Sequence, residues 1–170
     1  LTEIDDETFR DCTGLTSVTI GSGVTVIGQN AFNTCRKLAD VTISGNVAQI
    51  EMGAFVDCSN LMSIEIPNSI RAVGVTAFNG TGLTFTEDNG ARYLGNSGNK
   101  YLVLIEAKDK EAITSYDINA NAKVIADMAF YRCENLTTVS MPESVTDIGA
   151  LAFSGCGELS NLTMSNGLLT

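Results

Sequence analysis

The chain has 170 residues, 44% of them hydrophobic and 18% charged, which suits one folded domain and excludes a disordered chain. No apolar run approaches the length that crosses a bilayer as a helix, and a formal net charge of −10 makes nucleic acid and anionic lipid poor partners. His is absent, which removes the usual general base and the commonest metal ligand.

Residues 4–14, IDDETFRDCTG, match the second half of the segment that follows. Ile4 aligns with Ile27, Phe9 with Phe32 and Cys12 with Cys35, each 23 residues apart. Residues 15–37 and 38–60 share one pattern: Leu-x-x-Val-x-Ile, then Val-x-x-Ile, then Ala-Phe-x-x-Cys. Self-similarity at a period of this length is the signature of a solenoid. A third copy, 61–82, keeps Ile64, Ile66, Ile70, Val73, Ala77 and Phe78, but Thr81 stands where the others have Cys, and one residue is lost before Leu83.

Residues 83–112 depart from the period. Arg92-Tyr93-Leu94 and the run KYLVLI at 100–105 flank GNSGN at 95–99, which predicts a β-hairpin extending one coil of the stack. The period returns at 113–135 with Ile113, Tyr116, Ile118, Ile125, Ala129, Phe130 and Cys133. It continues at 136–158 with Leu136, Val139, Met141, Val145, Ile148, Ala152, Phe153 and Cys156, and Leu159, Leu162, Met164 and Leu168 open a further copy. Ile20 and Ile118 are 98 residues apart, six more than four periods, so the irregular coil and its hairpin add six. The expectation is a single domain over 1–170, cut within repeats at both ends, with the insert at about 83–112.

The apolar residues of Val18-Thr19-Ile20 alternate with a polar one, the spacing of a strand with one buried face. Gly21 and Pro67 let the chain leave that strand, and runs such as 29–32 and 52–55 have room for one helical turn. Each repeat is therefore expected to give a strand, a bend, a short extended run and a helical turn, an α/β solenoid with its strands parallel. One coil cannot bury its own apolar face, and the stack supplies what it lacks.

LMSIEIPNSIRAVGVTAF at 61–78 and LTTVSMPESVTDIGALAFSGC at 136–156 resemble the leucine-rich repeat of the BspA-like, Treponema-type surface proteins. The resemblance covers the chain outside the hairpin insert, and Thr81, the residue lost before Leu83 and the insert depart from it. It implies a leucine-rich-repeat right-handed superhelix with parallel strands on its concave face. It also implies a secreted or cell-surface protein, bacterial in most cases, that acts in adhesion to matrix proteins or to other cells.

Cys12, Cys35, Cys58, Cys133 and Cys156 all fill one slot of the repeat. Parallel side chains about 5 Å apart place Cβ atoms beyond the separation a disulfide needs, so a column of buried thiols is expected. Without His or a C-x-x-C pair, zinc has no support. The phenylalanines of the repeat form a second column, read as a core spine. No phosphate loop, no nucleophile with a base and no calcium motif occurs, so neither an enzyme nor a cofactor is expected.

What remains is surface. The strand positions that alternate with the core are Thr16, Ser17 and Thr19; Asp40 and Thr42; Ser63 and Glu65; Thr114, Ser115 and Asp117; Thr137, Thr138 and Ser140; Asn161 and Thr163. This strip, dense in hydroxyls with a few acids, is the candidate binding face for an extracellular protein. High β propensity is an equally good reason for its Thr content. A glycan ligand touching this strip or the hairpin's Tyr93 and Tyr101 is the alternative, weakened by 6% aromatic content and no Trp. A structural spacer is the third reading. Self-association is expected only through uncapped coil ends.

Overall fold

The computed structural model describes residues 1–164, so Leu168 lies outside the described residues. The chain falls into two compact units, Leu1–Thr84 with Gly95–Ser97, and Phe85–Leu94 with the residues from Gly98 on.

In the first unit the strands are β1 (Glu3–Ile4), β2 (Ser17–Ile20), β3 (Val26–Ile27), β4 (Asp40–Ile43), β5 (Gln49–Ile50) and β6 (Ala72–Val73). Two parallel columns result. β1, β3, β5 and β6 pair in chain order, and β2 pairs with β4. Partners such as Ile4 and Ile27, Ile27 and Ile50, or Ser17 and Asp40 are 23 residues apart, so the sequence period is the register. The rings of Phe9, Phe32, Phe55 and Phe78 stack at centroid separations of 5.2, 5.3 and 5.8 Å. Cys35 and Cys58 are buried beside them, and their thiols donate to the carbonyls of Phe9 and Phe32, each at 3.1 Å.

The second unit holds β7 (Thr86–Asp88), β8 (Ala91–Asn96, its last two residues counted with the first unit), β9 (Asn99–Ala107), β10 (Ser115–Asp117), β11 (Val124–Ile125), β12 (Thr138–Met141), β13 (Asp147–Ile148) and β14 (Asn161–Met164). The predicted hairpin is β8 and β9. A third strand, β7, joins it antiparallel through a tight turn at Asn89-Gly90, both at positive φ. β9 then pairs in parallel with β11, Val103 opposite Val124 and Leu104 opposite Ile125. The insert therefore supplies the short-strand position of one coil. β10, β12 and β14 form the other column at the 23-residue register.

The expected helical turn is corrected. Among the described residues there is no helix, and the architecture is a β-solenoid, not an α/β one. The reason lies in the amides. Asn30, Phe32 and Thr34 donate to Met52, Ala54 and Val56 of the next coil at 2.8–3.0 Å, while Ala31, Asn33 and Cys35 donate back within their own coil to Gly28, Asn30 and Phe32. An α-helix needs every amide for its own i−4 carbonyl, and here alternate amides belong to the neighbour. The zigzag takes left-handed φ at two slots of each regular coil of the first unit: Glu7, Asn30, Gly53 and Thr76, then Asp11, Thr34, Asp57 and Gly80. Met128 and Leu151, with Arg132 and Gly155, repeat them in the second unit.

Candidate functional site

The strand face is built as the register dictates. Ser17 lies opposite Asp40 and Thr19 opposite Thr42. In the second unit Ser115, Thr138 and Asn161 form one row, and Asp117, Ser140 and Thr163 another. Rows on parallel strands repeat at about 4.8 Å, so each unit presents a lattice of short polar groups. All fifteen candidate positions are exposed except Thr138, which is half-buried, and none is cationic.

Four candidates, Thr16, Thr114, Thr137 and Glu65, have structural work. Thr16 accepts the amides of Ala39 and Asp40 on its carbonyl. The Thr137 hydroxyl and amide both donate to Thr114 O at 2.8 Å. Glu65 accepts the Ser97 amide at 2.7 Å, so its carboxylate is already engaged. Ser63 and Glu65 also lie on a run outside the strand ladder, because β4 pairs with β2 alone.

The hairpin tyrosines do not form a sugar platform. Tyr93 is fully buried and Tyr101, half-buried, meets it edge-on at 5.5 Å. The Tyr93 hydroxyl pairs with that of Tyr116 at 2.9 Å, Tyr116 donates to Asp88 O, and Asn119 donates its amide to Tyr93 and its Nδ2 to the Asp88 carboxylate. Burial raises the pKa of both phenols. This network holds the insert in the core and was missed in the sequence, although Tyr93 and Tyr116 stand 23 residues apart, one repeat period, and that offset was the signal that could have found it.

The thiols form a column of free groups, most of them buried. Cys12 is exposed, Cys35, Cys58 and Cys133 are buried, Cys156 is half-buried, and all five are free. Burial pushes Cys58 up to about 12 and Cys133 up to about 11, so both stay protonated at neutral pH. Among the described residues no group of three His, Cys, Asp or Glu side chains is placed to hold a metal ion, and no helix is long and apolar enough to cross a membrane.

The sequence profile of the BspA-type leucine-rich repeat region matches residues 1–96 and 108–170 in six copies. The chain belongs to that family. Among solved structures, this family member is similar to a leucine-rich cell surface protein from Faecalibacterium prausnitzii, with 30% identity, a TM-score of 0.50 and coverage of 98% of this chain and 46% of that one. It is also similar to the leucine-rich repeat protein of T. pallidum, at 25% identity and a TM-score of 0.50 over 96% of this chain and 63% of that one. A leucine-rich repeat protein from Bacteroides ovatus, at 24% identity and a TM-score of 0.50 over 99% of this chain, shares the fold. The chain thus spans less than two thirds of the length of each, 42% in the last case. No curated protein matches it. The BspA-type profile leaves out residues 97–107, which include the whole of the second hairpin strand, β9.

Proposed function

We propose that this chain is an interaction module of a secreted or surface-displayed bacterial protein, binding an extracellular protein through the exposed strand face, the side expected to be concave in a right-handed superhelix. The observation that carries the reading is the pair of in-register polar rows: hydroxyls and carboxylates without a single cation, in a chain of net charge −10. Membership of a repeat family, and likeness to a protein described as a cell surface protein, support the location. A repeat surface of this kind binds through many weak contacts spread over several coils.

The test is binding to immobilised extracellular-matrix proteins beside a glycan array, for the parent chain and for Thr42→Arg and Ser140→Arg. Retention by a matrix protein that both substitutions weaken is the expected result. Binding only on the glycan array selects the sugar reading, which the burial of Tyr93 disfavours. Silence on both surfaces leaves a spacer and ends the proposal.

A further inference from the structure

We draw no further inference here: the strongest candidate, the side-chain cluster on the turn column of the second unit where Lys110 and Arg132 both lie over the Tyr131 ring, carries nothing, because that ring already engages both cations and nothing in the structure shows what anion covers them.

Discussion

Replacing Thr76 by glycine should make this protein more stable, although glycine normally weakens a fold. Thr76 has φ of 59°, is exposed, and its hydroxyl makes no hydrogen bond. A β-branched residue in the left-handed region is a genuine outlier, and that region costs an L-residue roughly 1–2 kcal/mol. The extra freedom glycine gives the unfolded chain costs about 0.5–1 kcal/mol. The difference favours Thr76→Gly by roughly 0.5–1 kcal/mol, or about 1–4 °C in melting temperature for a chain of this size. The same slot already holds Gly53 one coil earlier, and Gly80 fills the companion slot. Ala77→Gly, one residue along at a buried position without positive φ, is the control and should cost about 1 kcal/mol. Urea unfolding of the three proteins measures the differences directly. Destabilisation by Thr76→Gly equal to that of the control would show that the turn column is not strained and would refute the account of why these turns are not helical.

Phe55→Ala removes a fully buried ring stacked on both sides and should cost about 3–5 kcal/mol, whereas Phe9→Ala, at a ring 38% exposed with one stacked neighbour, should cost about half as much or less, read from urea midpoints. In the native state a thiol reagent should modify Cys12 quickly and leave Cys35, Cys58 and Cys133 untouched, and reductant should not move the melting temperature. The raised thiol pKa values fix a sign: stability is fully present below pH 9, the ordinary thiol value, and falls as pH rises toward 11 and 12, because only the unfolded chain releases those protons readily. Flat stability across that window would contradict the burial of Cys58 and Cys133. Tyr116→Phe leaves the Asp88 carbonyl and the Tyr93 hydroxyl short of a partner in the core and should cost about 1–3 kcal/mol by thermal melting.

The period of 23 residues was enough to place nearly every core side chain and to set the register, because in a stack of coils sequence offset and spatial neighbour are the same thing. The Phe and Cys columns and the outward rows from Ser17 to Thr163 follow from that alone. Gly53, Asn30, Gly80 and Gly155 hinted at left-handed turns, but the hint was masked by Thr34, Thr76 and Leu151 in the same slots. A helical turn and this zigzag need the same apolar spacing over four residues. Only the neighbouring coil decides between them, since it takes every second amide. The insert was legible as a hairpin and not as a coil's missing strand, because β9 meets β11 at an offset of 21, not 23. The engagement of Glu65 by the Ser97 amide, 32 residues on, likewise arises from a contact outside the period. The linear code of this protein determined whatever repeats; tertiary structure decided what happens where repetition fails.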